Sequence, residues 1–266
     1  MKEEQSELKN YVADFGRFVI INISGLGKIS SFISRFTYWF LKPPFRFRLL
    51  FEQLYFIGNK SLFIICLSGA FTGMVLAYQT YFGFKLISVD SLVGPVVAIS
   101  MARELAPVLS GLIVAGRAGS AMAAQIGTMK VTEQIDALEV MGIDSFHYLA
   151  VPRIIAGTIA LRMLSSIFLL IGNIGGWFVG TSALMIDDVL YFSKLGEFMF
   201  VEDIWQGIIK STVFGFIISL VGTYFGFNAS KGAEGVGKGT NRAVVWGMIS
   251  VLTFDYFLTS FLVKIL

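Results

Sequence analysis

Residues 61–81 read SLFIICLSGAFTGMVLAYQTY, a stretch of 21 residues without one charged side chain. A transmembrane helix needs about 20 consecutive apolar residues to cross a hydrocarbon core of about 30 Å. Hydrophobic residues make up 55% of the 266 positions and charged residues only 15%, whereas about 25% of a typical soluble domain is charged. We therefore predict an all-α integral membrane protein in which this stretch is the first span.

Four further apolar stretches follow, at about 91–116, 154–180, 204–228 and 243–266. Together with the first they predict a five-span domain over residues 61–266. Small residues recur four positions apart in and beside these stretches, a spacing that lets helices approach closely in lipid. The rows are Gly69/Gly73, Ala115/Gly119/Ala123/Gly127, Gly172/Gly176/Gly180 and Gly222/Gly226.

The distribution of lysine and arginine predicts the orientation of the chain. The connections on one side hold nine such residues in 1–60, three in 117–153 and three in 229–242, whereas the opposite connections hold only Lys85 and Lys194. Basic residues collect on the cytoplasmic side of membrane proteins. The N-terminus is therefore expected in the cytoplasm and, with five spans, the C-terminus on the opposite side.

Residues 1–60 predict helices that lie in the cytoplasmic interface of the membrane. One basic stripe, flanked by apolar and aromatic side chains, is typical of an interfacial helix, although a sixth span is the alternative. Pro43 and Pro44 should end this helix, and 45–60 predicts a second interfacial helix or elbow before the first span. The stripe comprises Arg17, Ser24, Lys28, Ser31, Arg35 and Lys42, and the flanks Phe18, Val19, Ile29, Phe32, Ile33, Phe36 and Trp39.

A short amphipathic helix is predicted at about 132–141, in the connection between the second and third spans. Thr132 is a candidate N-cap and Gly142 a terminator. Because the cytoplasmic leaflet is negatively charged, an acidic helix is better suited to docking against another protein than to lying in lipid, which is the alternative. The candidate docking residues are Glu133, Ile135, Asp136, Leu138, Glu139 and Met141.

Charged side chains also lie inside the predicted spans: Arg103, Glu104, Arg162, Lys210 and Asp255. A charge at the centre of a membrane helix costs about 2.5–3.5 kcal/mol, and such residues normally face the bundle interior or a wet cavity. Depth estimates at about 1.5 Å per residue favour two ties between helices, Glu104 with Arg162 and Lys210 with Asp255. The alternative, compatible with such ties, is that Arg103 and Glu104 line a polar pocket.

Two patterns are rejected as functional sites. The stretch GAEGVGKGT at 232–240 nearly matches a phosphate-binding loop, but Gly239 stands where Ser or Thr is needed for magnesium. We expect a flexible basic turn there and no nucleotide site. The chain has a single histidine, His147, and a single cysteine, Cys66. These are too few for a typical zinc site, so we predict none. We expect His147 to be a solvated surface residue. No cofactor, metal or catalytic residue is predicted.

Residues 103–144, RELAPVLSGLIVAGRAGSAMAAQIGTMKVTEQIDALEVMGID, and YLAVPR at 148–153 resemble the signature region of the MlaE/YrbE family of ABC transporter permeases. GAEGVGKGTNRAVV at 232–245, running into FDYFLTSF at 254–261, resembles the C-terminal region of the same family. The similarity extends over about 45–266. Arg162 is a departure, because the third span of the family is expected to be mostly apolar.

The resemblance implies a homodimer in the bacterial inner membrane, bound to cytoplasmic ABC ATPase subunits and a periplasmic MCE-domain protein. It implies a phospholipid substrate moved between the inner and outer membranes, and no nucleic acid partner. It assigns residues 133–141 to the coupling helix that enters the ATPase, and Arg103 and Glu104 to a lipid pocket between protomers. The alternative function is a non-transporting membrane scaffold or a passive channel subunit.

Overall fold

The computed structural model describes residues 27–43, 46–86 and 89–265. The chain divides into two compact units, Met1–Phe45 and Arg46–Leu266. In the first unit, residues 27–40 form helix α1, which ends just before Pro43. The part of the predicted basic stripe that precedes residue 27, and Pro44, lie outside the described residues. The interfacial position of this helix stays a prediction.

The second unit is built from helices, and its described residues contain no strand. Five of its helices are long and apolar enough to cross a membrane, which confirms the predicted all-α membrane fold. These spans are α2 (Phe47–Lys85), α3 (Asp90–Val131), α5 (Phe146–Ser182), α7 (Val201–Phe227) and α8 (Ala233–Leu262). Two shorter helices lie between them, α4 (Gln134–Val140) and α6 (Asp188–Phe198).

Two helices are longer than the sequence predicts. Helix α2 continues without a break from residue 47 through the first span, so the described part of the expected elbow, 47–60, is not a separate helix. Its 39 residues measure about 58 Å at 1.5 Å per residue. No proline interrupts residues 47–60, and nothing in the sequence therefore ends the helix before the span begins.

Helix α8 begins at Ala233, so the predicted flexible turn at 232–240 is almost entirely helical. Gly232 turns the chain into the helix with a φ of +86°, a conformation that glycine adopts without strain. A Cβ atom at Gly235 would overlap the carbonyl of Ser230, so this glycine permits a close turn. Lys238 pairs with Glu234 one helical turn away, at 2.6 Å. The expectation that this stretch is flexible is wrong.

The predicted rows of small residues lie at the contacts between spans. A Cβ atom at Gly73 would overlap the carbonyl of Gly172, which brings α2 and α5 into backbone contact. A Cβ at Gly222 would lie 2.9 Å from the Gly119 carbonyl, and α3 and α7 approach each other there. Close backbone approach of this kind is the usual role of such rows in membrane helices.

Three turns of the spans are π-helical, at Met101–Leu105, Ala115–Gly119 and Phe146–Ala150. Arg117, in the second of these turns, reaches α2, where its guanidinium donates to the Phe56 carbonyl at 3.0 Å and to the Ser61 hydroxyl at 2.6 Å. His147 lies in the third turn and is only 8% exposed. The prediction of a solvated histidine is wrong, because this turn packs into the protein instead of belonging to a surface loop.

Candidate functional site

Five charged side chains from three spans meet near the end of the bundle at which α7 begins. We call them the charge cluster: Arg103 and Glu104 of α3, Asp203 and Lys210 of α7, and Asp255 of α8. Two cations and three carboxylates give the cluster a formal charge of −1. Charges at membrane depth are stable only when they are paired or hydrated, and each member of this cluster has a partner of opposite charge.

Lys210 is the centre of one half of the cluster. Its side chain is fully buried, and its ammonium nitrogen donates to Glu104 Oε2 at 2.5 Å and to Thr259 Oγ1 at 2.7 Å. Asp255 Oδ1 lies 3.0 Å from the same nitrogen, at angles that do not make a hydrogen bond. Thr259 also donates to the Asp255 backbone carbonyl oxygen. Asp255 and Thr259, one turn apart on α8, therefore both contact the Lys210 ammonium group.

Arg103 forms the other half of the cluster with Asp203. Two guanidinium nitrogens lie 2.5 Å from Asp203 Oδ1. The second carboxylate oxygen, Oδ2, accepts from the backbone N–H of Phe200 at 2.9 Å, where α7 begins. A carboxylate is favoured at a helix N-terminus because it complements the exposed N–H groups and the helix dipole. Asp203 is therefore held from two sides.

The π-helical turn at Met101–Leu105 presents two adjacent residues to two different partners on α7. In both pairs, the α7 partner is buried and the α3 residue is accessible. The side chains of Asp203 and Lys210 are fully buried, whereas those of Arg103 and Glu104 are 40% and 39% exposed. One accessible cation and one accessible anion thus lie side by side.

A cavity of about 420 Å³ opens beside the accessible guanidinium. The Oε1 atom of Gln206 is buried at this end of α7 and has no hydrogen-bond partner among the described residues. Buried polar atoms are nearly always satisfied in folded proteins, so this amide leaves an unpaired polar group beside the cavity. The lining residues are Arg103, Phe200, Glu202, Asp203, Gln206 and Val263.

Of the two ion pairs predicted between helices, one is present and the other is not. Lys210 and Asp255 approach each other as expected. Glu104 does not pair with Arg162, so that prediction is wrong. The partner of Glu104 is Lys210, and the side chain of Arg162 is exposed on α5. Sequence reasoning also missed Asp203, which the predicted spans left in a connection. Residue counting gave no signal for it, because Asp203 precedes its predicted span whereas Arg103 lies 12 residues inside its own.

Helix α4 lies in the connection predicted to contain a docking helix, and it begins two residues later than expected. Thr132 does not cap it, because the threonine hydroxyl donates back to Thr128 at 2.9 Å. Glu133 precedes the helix in a left-handed conformation with a φ of +58°. After the helix, Gly142 has a φ of +75°, as expected for a terminating glycine.

The apolar row of α4 faces the protein itself. Ile135 is buried against Ile126 and Leu149, and Leu138 packs against the same small core. These two predicted docking residues therefore anchor the helix instead of lying on its free side. The free side carries Glu133, Asp136, Glu139, Val140 and Met141, which are all exposed, and Val140 was not among the predicted residues.

A family model described as Permease MlaE matches residues 50–261. The chain belongs to the MlaE permease family. As a family member with five apolar helices, it is a multi-pass protein of the inner membrane.

Relatives of this MlaE permease match it over most of its length. A probable ABC transporter permease protein of Rickettsia bellii is 40% identical over 258 residues, 97% of this chain and all of that protein. The intermembrane phospholipid transport system permease protein MlaE of Haemophilus influenzae is 37% identical over 254 residues, 94% of this chain and 97% of that one. The chloroplastic protein TRIGALACTOSYLDIACYLGLYCEROL 1 of Arabidopsis thaliana is 36% identical over 228 residues, 83% of this chain and 63% of that protein.

Proposed function

We propose that this chain is the permease subunit of an ABC-type lipid transporter that moves phospholipids between the inner and outer membranes. Family membership and the Haemophilus relative, which is named for intermembrane phospholipid transport, support this function. A separate ATPase subunit supplies the energy. Neither a scaffold nor a passive channel, the alternative from the sequence, has support among the relatives.

The charge cluster is the proposed headgroup site. The observation that carries this proposal is the accessible guanidinium of Arg103 beside the accessible carboxylate of Glu104, each held by a buried counterion. A phospholipid phosphate is a good partner for a guanidinium, and an ammonium headgroup is a good partner for a carboxylate. The buried partners fix both groups in place, so little conformational entropy is lost when a headgroup binds.

A second copy of the chain completes the site in this proposal. Helix α8 presents a row of large exposed side chains at helical spacing, Trp246, Ile249, Leu252 and Tyr256. Packing this row against its symmetry mate makes a homodimer with a self-complementary interface. Asp255 and Thr259 lie on the same helix, so the charge cluster is close to that interface.

Partners bind at the two ends of the bundle. The acidic free side of α4 is the proposed coupling surface for the cytoplasmic ATPase, and the basic connections support a cytoplasmic position for this surface and for the N-terminus. Helix α6 and the C-terminus then lie on the periplasmic side. Exposed apolar residues of α6, Val189 and Phe192 among them, are suited to contact with a periplasmic MCE-domain protein.

The test is reconstitution of the permease with its ATPase in phospholipid vesicles, followed by measurement of bound and transported lipid. Glu104→Gln and Arg103→Gln should each reduce lipid bound to the purified complex and lower transport, with the complex still assembled. Glu197→Gln is the matched control, because Glu197 pairs with Lys194 on the surface of α6. Full lipid occupancy and full transport in both cluster variants would exclude the headgroup role.

A further inference from the structure

Arg162 is the one charged residue predicted inside the spans that does not belong to the charge cluster. It lies exposed on α5 and forms no ion pair with any residue in 27–43, 46–86 or 89–265. It borders a groove of about 530 Å³ between α5 and α7. The remaining lining residues are Thr158, Ile159, Met163, Ser166, Ile167 and Thr212.

This groove is separate from the charge cluster. Thr212 lines the groove and Lys210 belongs to the cluster. Side chains two positions apart on a helix point about 200° apart, so the two sites lie on opposite sides of α7. The groove therefore faces away from the proposed headgroup site.

The groove contains one unsatisfied polar group. The hydroxyls of Thr158 and Thr212 donate to carbonyls of their own helices, at 2.8 and 2.7 Å. The Ser166 hydroxyl donates in the same way to the Arg162 carbonyl at 3.0 Å. The other lining side chains are apolar. The guanidinium is thus the group that needs an anion, beside a surface that accepts a hydrocarbon chain.

Depth and direction decide which anion can reach it. Arg162 lies five residues, or about 7 Å, from residue 167, the middle of the apolar stretch 154–180. In a core about 30 Å thick it is then about 8 Å inside the nearer boundary, on the side where α5 begins. Helical side chains point towards the N-terminus of their helix, and arginine extends to reach the interface. The guanidinium therefore extends to about the edge of the hydrocarbon core, next to the layer that holds the lipid phosphates.

We propose that this groove binds a phospholipid of the cytoplasmic leaflet, with its phosphate on Arg162 and an acyl chain along Met163 and Ile167. The site lies on the outer flank of the permease, apart from the charge cluster. A lipid phosphate is favoured over an acidic residue of a partner helix, because the guanidinium lies at the edge of the headgroup layer, where phosphate is abundant. The inference rests on the cytoplasmic orientation of the start of α5 and does not require transport.

The experiment compares two photoactivatable probes with identical acyl chains, phosphatidylglycerol and diacylglycerol, which lacks the phosphate. Each probe is added at trace level to nanodiscs that hold the assembled complex, and crosslinked peptides are identified by mass spectrometry. Peptides with Met163 should favour the phospholipid by about ten-fold, the effect of a charge-assisted hydrogen bond. Phe178, which is exposed on α5 outside the groove, is the control and should show no preference.

Three variants test the arrangement. Arg162→Leu should abolish the preference at Met163, and Arg162→Lys should keep most of it. Thr212→Trp fills the groove and should reduce crosslinking of both probes at Met163, with Phe178 unchanged. An equal preference in wild type and Arg162→Leu, or no crosslink of either lipid probe at Met163, would overturn the proposal. Loss of transport through Glu104→Gln leaves these outcomes unaltered, so failure of the headgroup site is distinguishable.

Discussion

Replacing Lys210 with methionine removes the one cation that serves two carboxylates of the charge cluster. The ammonium group has contacts at 2.5 Å with Glu104, 2.7 Å with Thr259 and 3.0 Å with Asp255. Breaking a buried ion pair by removing one partner costs about 3–5 kcal/mol, because the other charge is stranded. Glu104 is 39% exposed and can recover water, so we expect a loss of about 3 kcal/mol for Lys210→Met.

Thermal unfolding of the purified permease measures this loss. About 3 kcal/mol corresponds to a decrease in Tm of roughly 6–12 °C for a domain of this size. The triple variant Lys210→Met/Glu104→Gln/Asp255→Asn strands no charge and should recover most of the stability. Lys194→Met is the control, since Lys194 forms an exposed pair with Glu197 and such pairs contribute about 1 kcal/mol at most.

Two outcomes contradict this account of the cluster. An unchanged Tm in Lys210→Met means that the lysine does not stabilise the two carboxylates in the folded protein. A triple variant as unstable as the single variant means that the loss comes from packing around the lysine chain and not from stranded charge. The double variant Lys210→Met/Glu104→Gln should lie between the other two, because it still strands Asp255.

Three further predictions concern other parts of the chain. Reversing Glu133 and Asp136 to lysine should weaken binding of the ATPase subunit without unfolding the permease, and normal pull-down of the ATPase would show that α4 does not dock. Tyr191→Phe should change stability by less than about 1 kcal/mol because the buried hydroxyl has no partner among the described residues, whereas Tyr191→Ala should cost about 3–5 kcal/mol, both read by thermal unfolding. Burial raises the pKa of Tyr191 from 10 to about 12, so its stabilising effect is complete below pH 10 and falls as the pH rises towards 12; Tyr191→Phe should remove that fall. Gly73→Val should separate α2 from α5 and lower the yield of folded protein in size-exclusion chromatography, whereas Gly83→Val, which has open space around it, should not.

The spans were predictable because their signal is composition over about 20 residues, which neighbouring helices do not alter. Residues 61–81 carry no charge and form the middle of α2. The close contact between α2 and α5 was also foreseeable, since glycines four positions apart mark helix contacts. The ends of the helices were harder to predict, because local contacts determine them. At the start of α4, the Thr132 hydroxyl donates to the preceding helix and Glu133 adopts a left-handed conformation.

The ion-pair partner of Glu104 could not be predicted from the estimated depth of the side chains in the membrane. Counting residues gives the level of a side chain in the membrane but not the direction in which its helix faces. Arg162 is near the expected level and lies exposed on another face, whereas Lys210 points into the bundle. The π-helical turn at Met101–Leu105 also takes up an additional residue, so an α-helical count assigns the residues after it to the wrong face.

That turn also allows α3 to differ in length by one residue without a change of phase. A π-helical turn holds an additional residue, and one residue corresponds to about 100° of rotation along an α-helix. Deleting one residue within Met101–Leu105 would therefore let this turn close as ordinary α-helix and leave the following half of the helix, including Arg117, facing as before, whereas deleting one residue from an α-helical part of α3 would rotate that half by about 100°. Two homologues that differ by one residue within this turn would therefore present the same faces to α2 and α7.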